Sequence, residues 1–106
     1  MALPPMTDEQ RAAGLAKAAQ VRTRRAETKK RLKRGAVTLA AVLAEADAED
    51  DGAISKMHVS ALLQSMPGVG EVRAKKIMEQ LGIADNRRIG GLGSNQRQAL
   101  EAEFAA

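Results

Sequence analysis

Two glycine-rich turns hold the residues best placed to do chemistry, and the chemistry they suit is the binding of phosphate. Met66-Pro67-Gly68-Val69-Gly70-Glu71-Val72-Arg73-Ala74-Lys75-Lys76-Ile77 reads as helix, tight turn, helix. Pro67 stops one helix, Gly68 and Gly70 permit backbone angles and close approach denied to other residues, and Ala74, Ile77, Met78 and Leu81 recur at the spacing of a buried helix face. Val69 is placed to plug the core beneath the turn. The first N–H groups of the new helix then point outward with no side chain in front of them, which suits a phosphate oxygen. Arg73, Lys75 and Lys76 follow on the next turn and add positive charge.

A weaker copy lies 23 residues further on, where Ile89-Gly90-Gly91-Leu92-Gly93 lines up with Met66-Pro67-Gly68-Val69-Gly70, and Leu100 and Phe104 fall opposite Ile77 and Leu81. Arg87 and Arg88 precede this turn, Ser94 is placed to cap the helix after it, and Arg97 lies one turn in. Gly68, Val69 and Gly70 with Gly91 and Gly93 thus form two anchoring turns, able to grip phosphates on both sides of a minor groove while Arg87 or Arg88 reaches toward it.

The elements that must carry these turns are helical. Thr7 followed by Gln10 makes a capping box, Asp8 and Glu9 favour the positive end of the helix dipole, and Gly35 supplies the stop, so one helix of about 27 residues is expected across 7–35. Its large apolar residues are only Leu15, Val21 and Leu32, so it can bury little. A second helix fits Leu39 to Ala46 behind Thr38, and a third fits Val59 to Met66 before Pro67. The resulting division is a flexible tail over 1–6, a long basic helix over 7–35 and a small domain over 36–106.

Charge is distributed unevenly. Ten basic residues lie between Arg11 and Arg34 against the single acid Glu27, and the stretch Glu45, Asp47, Glu49, Asp50, Asp51 follows with no base, which predicts a strong asymmetry along the molecule. Net charge is +4, favouring an anionic partner. Arg22, Arg24, Arg25, Lys29, Arg31, Lys33 and Arg34 are candidates for a second DNA-facing surface on the long helix.

The first turn resembles the helix-hairpin-helix motif of non-sequence-specific DNA binders. With Leu62-Leu63-Gln64-Ser65 before it, Ala74-Lys75-Lys76-Ile77-Met78 after it, Arg87-Arg88-Ile89-Gly90-Gly91-Leu92-Gly93 further on, and Ala2-Leu3-Pro4-Pro5, Thr7-Asp8-Glu9-Gln10-Arg11 and Arg31-Leu32-Lys33-Arg34-Gly35 upstream, the whole chain is similar to the actinobacterial, mycobacterial-type integration host factor family. That resemblance implies an all-α fold: a long N-terminal helix packed beside a small helix-two-turns-helix domain related to a small-subunit ribosomal protein. It also implies a nucleoid-associated, architectural role in which the protein binds double-stranded DNA, bends or compacts it and assists phage integrase. Arg87 and Arg88 match the family's basic DNA-contact positions, and the chain departs at Gly90, where family members can carry a further basic residue.

Other functions fit the residues less well. A DNA-repair lyase would need a nucleophile with a depressed pKa and a pocket for a flipped base, and nothing near Lys75 or Lys76 supplies either. There is no cysteine for thiolate chemistry or a Cys-based zinc site, and His58 is a lone histidine, so neither an enzyme nor a cofactor is implied. An RNA-binding protein is the main alternative, but single-strand readers stack bases on aromatics and this chain has only Phe104, at a core-like position. No apolar run suits a membrane span or signal peptide, and the basic helix has no aromatic to insert into a bilayer surface, so a cytoplasmic, nucleoid-bound monomer without membrane contact is expected.

Overall fold

A computed structural model describes residues 4, 5 and 7–105. Among them are five α-helices: α1 Asp8–Lys33, α2 Leu39–Ala48, α3 Val59–Gln64, α4 Glu71–Gln80 and α5 Ser94–Glu103. A 3-10 turn, Ile89–Gly91, precedes α5. The tail expected over 1–6 falls largely outside the described residues. No helix among those described is long and apolar enough to cross a membrane.

α1 begins as its sequence requires. The Thr7 hydroxyl accepts from the Gln10 N–H at 3.1 Å, and the Gln10 side chain accepts from the Thr7 N–H at 2.9 Å. Gly35, at φ 70°, ends it in the left-handed region. Only Thr28 and Leu32 of this helix are buried. Its first thirteen residues are all exposed and Leu15 is uncovered, so this half projects from the body, in a molecule whose longest extent is 49 Å.

The core is built around α2, α3 and α4. Leu39, Val42, Leu43 and Ala46 of α2 meet Val59, Leu62 and Leu63 of α3, Ala74, Ile77 and Met78 of α4, and Leu100 of α5 in one cluster. α2 runs two residues past the expected Ala46, while α3 stops at Gln64 and leaves Met66 buried in the turn rather than in the helix. Leu81 is half-buried, not fully inward-facing. Ile54 and Met57, in the segment between α2 and α3, are also core residues, and no periodic pattern announces them.

One short extended pairing ties the two halves of the domain together. Residues 55–59 run against 87–90, with Val59 N–H donating to the Arg87 carbonyl at 2.9 Å, Ile89 N–H to Met57 at 2.9 Å and Gly90 N–H to Ser55 at 2.8 Å. His58 and Arg88 form an isolated antiparallel bridge within it. The pairing is too short to be a strand, and the fold is all-α.

Gly68 has φ 74°, with Pro67 before it and Val69, 3 % exposed, behind it. A side chain in that left-handed region costs roughly 1–2 kcal/mol. Gly68→Ala should therefore lower the melting temperature by roughly 4–8 °C for each kcal/mol lost, as read by circular dichroism.

Candidate nucleic-acid interface

The first turn presents the open helix start that its sequence suggests. Gly70 is the N-cap of α4, no side chain caps it, and its φ of −94° is one that any residue adopts. A Cβ there would meet nothing within 4 Å. Glycine at 70 is thus required neither by backbone angle nor by packing, and its effect is to leave the N–H groups of Glu71, Val72 and Arg73 uncovered. Arg73, Lys75 and Lys76 are exposed on α4. Lys75, however, lies between Glu71 and Glu79 one turn to either side and shares a depression with Glu71 and Asp85, so its charge is diluted.

The second turn is not a backbone copy of the first. Gly91, aligned with Gly68, lies in the 3-10 turn and is not among the glycines of positive φ. Ser94 does not cap α5, because Gly93 is the N-cap and Ser94 is the first helical residue. The cap comes from Gln96, whose side-chain oxygen accepts from Gly93 N–H at 3.0 Å and whose Nε2 donates to the Gly82 carbonyl at 2.9 Å. The second bond ties the first turn of α5 to the segment just after α4.

Arg87 and Arg88 differ from several other arginines in their partners. Arg87 Nη1 donates to the Gly91 carbonyl at 2.9 Å and Arg88 Nη1 to the Lys56 carbonyl at 2.6 Å. Neither guanidinium meets a carboxylate among the described residues, so both keep a full, uncompensated charge beside the turn. Arg97, expected to join them, instead contacts Asp47 at 2.7 Å and Glu101 at 3.3 Å. That hydrogen bond to Arg97 holds the Asp47 carboxyl below its ordinary range.

The long basic helix sorts in the same way. The acidic stretch that follows it in sequence folds back onto it: Arg24 contacts Asp51 at 2.8 Å and Arg31 contacts Glu45 at 3.1 Å. Arg25 Nε donates to the Ala53 carbonyl at 2.6 Å. The expected asymmetry is therefore partly quenched: Arg24 and Arg31 are paired with acids, while Arg25 gives one donor to a neutral carbonyl and keeps its charge. Arg22, Lys29, Lys33 and Arg34 remain exposed and without ion pairs among the described residues, and Arg11 joins them. Arg11, Arg22, Lys29 and Lys33, spaced eleven, seven and four residues apart, share one stripe.

The loop behind these contacts is held by its acids. Glu49 Oε1 accepts from the N–H groups of Ile54 and Ser55 at 2.6 and 2.9 Å, and Asp51 Oδ1 accepts from Ala53 N–H at 3.0 Å. The Arg24 hydrogen bond, with the Ala53 N–H second, holds Asp51 below the ordinary carboxylate range. A carboxyl depressed in the fold adds stability above its unfolded pKa, and that stability is lost as the pH falls through the lower folded value. Asp51→Asn should thus flatten the loss of melting temperature below about pH 4, as followed by thermal melts from neutral pH downward.

Residues to which the sequence assigned no DNA-contact role lie beside this turn. Lys56 and His58 are both exposed beside Arg88, and Ser55 backs Gly90. A Cβ at Gly90 would lie 3.2 Å from the Ser55 carbonyl oxygen, so any larger residue there must displace the pairing slightly. The signal for this group is long-range, since 55–58 and 87–90 are brought together only by the fold.

Comparison with known proteins places this geometry. Residues 32–104 match the family model described as the S13-like H2TH domain, the helix-two-turns-helix. The integration host factor of Streptomyces coelicolor is 58 % identical over all 106 residues and 97 % of its own length. The chain belongs to the actinobacterial integration host factor family. The integration host factor of Mycobacterium tuberculosis is 56 % identical, again over the whole chain and 99 % of its own length. A solved structure of sIHF bound to an 8 bp palindromic DNA superimposes with a TM-score of 0.79 at 56 % identity, covering 85 % of this chain and 99 % of that one.

Proposed function

We propose that this integration host factor relative is a nucleoid-associated, non-enzymatic DNA-binding protein that grips double-stranded DNA through its phosphates and minor groove. The observation that carries the reading is the pair Arg87 and Arg88, held by neutral carbonyls rather than carboxylates, beside helix starts at Gly70 and Gly93. Backbone N–H groups around Gly68, Gly70, Gly91 and Gly93 fix phosphates, with Ser94 on the first turn of α5. Arg73, Lys76 and the two arginines supply the counterion release that dominates such binding. The sIHF structure solved on DNA supports the choice of partner.

Sequence preference is low in this reading, because no helix is built as a major-groove reader and selectivity is left to groove width and deformability. The protein acts as a monomer at the nucleoid, bends or compacts DNA, and in doing so helps phage integrase assemble. Arg22, Lys29, Lys33 and Arg34 form the remaining basic face on α1.

Fluorescence anisotropy on several unrelated duplexes of ~20 base pairs tests the central part. Affinities should agree within a few fold, whereas a preference of about a thousandfold or more for one sequence would mark a specific reader. Adding the protein to a purified integrase reaction should raise the yield of recombinant; an unchanged yield removes the integrase role.

A further inference from the structure

We infer that His58 is a proton-dependent phosphate contact beside Arg88, so that the protein binds DNA more tightly as the pH falls from about 8 to about 5.5. This rests on the DNA-binding reading above and adds to it a contact residue and a dependence on pH.

The short pairing of 55–59 with 87–90 decides where the ring stands. Val59 N–H donates to the Arg87 carbonyl and Ile89 N–H to the Met57 carbonyl, so His58 and Arg88 face each other as a pair that exchanges no main-chain bond of its own. Such pairs bring their side chains closest, with Cβ atoms roughly 4.5–5.5 Å apart. Successive residues of an extended segment point to opposite faces. Met57, Val59 and Ile89 go into the core, and Lys56, His58 and Arg88 are left together on the outside.

Among the described residues, nothing claims the ring. His58 is the N-cap of α3, yet no side-chain hydrogen bond caps that helix. The charged groups of the pairing are all basic: Lys56 two residues before His58, Arg88 opposite it, and Arg87 next to Arg88. Toward α4, Glu71, Lys75 and Asp85 share a depression with Ser60, and no carboxylate lies within 4 Å of the ring nitrogens among the described residues.

A phosphate drawn to Arg88 therefore meets the imidazole as well. Neutral, the ring offers one N–H; protonated, it offers two donors and a full charge. The sign of the pH effect follows. Phosphate favours the charged ring, so binding takes up a proton, and affinity rises as the pH falls until the ring is charged in the free protein too. Histidine is the side chain whose ordinary charge change falls between about pH 5 and 8, and the chain has one histidine and no cysteine.

The test is fluorescence anisotropy of the full chain on a ~20 base-pair duplex in about 0.1 M salt, near pH 8 and near pH 5.5, comparing wild type with His58→Gln and His58→Lys. Wild type should bind roughly five to ten times more tightly at the lower pH, the effect of about one phosphate contact at this salt. Its slope of log K against log salt should be steeper there by about one. His58→Gln should bind at both pH values as wild type does at the higher one, and His58→Lys at both as wild type does at the lower. The wild-type change in slope is read without any variant, so a variant that misfolds does not blunt the test.

An affinity and slope that do not change between the two pH values overturn the contact and leave the DNA-binding reading in place. The same rise in His58→Gln as in wild type overturns it too. Failure of wild type to bind at either pH rejects the reading itself and the contact with it.

Discussion

Replacing Arg87 and Arg88 together by alanine is expected to weaken duplex binding by roughly two orders of magnitude or more, from the loss of two charge-assisted contacts of about 1.5–3 kcal/mol each. The dependence of log K on log salt should become shallower by about two, one for each phosphate no longer neutralised. The size of the effect follows from what the two guanidiniums touch. Each donates only to an exposed main-chain carbonyl, Gly91 for Arg87 and Lys56 for Arg88, so neither spends its charge inside the protein. When the arginines are removed those carbonyls are free to take water, and the melting temperature should barely move. The double lysine variant separates charge from shape. It should keep the salt slope yet bind less tightly than wild type, because lysine lacks the planar fork of donors. Arg24→Ala or Arg31→Ala should cost far less affinity, since Asp51 and Glu45 already hold those side chains.

Leu32→Ala is expected to have the largest effect on stability. Leu32 is the one large side chain of α1 that is fully buried, and a leucine truncated in a packed core loses about 2–5 kcal/mol. Single domains are stable by only about 5–15 kcal/mol, so the melting temperature should fall by tens of degrees or by a large fraction of that. The loss should not be uniform. α1 is otherwise held to the body by Thr28, the Arg24–Asp51 and Arg31–Glu45 ion pairs and the Arg25 bond to Ala53. Exposed pairs of this kind contribute little, so α1 should undock first while α2–α5 keep the Leu63 and Met78 core. Hydrogen exchange should show protection lost across 8–33 and retained in α3 and α4. Protection lost equally everywhere would mean that α1 and the domain unfold as one unit.

Much of this architecture is legible in the sequence because its signals are local. The Thr7–Gln10 box, Thr38 before Leu39, the stripe Leu39, Val42, Leu43, Ala46, and Pro67 with Gly68 each act within a few residues, and each falls where expected. The match of the two turns was legible only in part. Gly91 aligns with Gly68 in a weaker copy of the first turn, yet it enters a 3-10 turn because the preceding residues are pinned to 55–57 by main-chain pairing. Ser94 looked like a cap by type, but Gln96 reaches back to Gly93 and takes that role.

The basic residues were the hardest to sort. Arg24, Arg31 and Arg97 look like Arg22 and Arg88 in one dimension, and only the fold reveals that Asp51, Glu45 and Asp47 have claimed them. The same long-range closure hid Lys56, a single lysine in a stretch without pattern, which the 55–59 and 87–90 pairing carries beside Arg88. Contacts closing over thirty or more residues leave no periodic trace.

The most direct test of the central claim is a salt titration of the wild-type protein on a ~20 base-pair DNA duplex and on the RNA duplex of the same sequence. The account expects tighter binding to DNA, with a slope corresponding to several phosphates, because the uncompensated Arg87 and Arg88 suit the narrow B-form minor groove rather than the wide, shallow one of A-form RNA. Equal or tighter binding to the RNA duplex would contradict it and move the protein to RNA work of the kind its ribosomal fold relatives suggest.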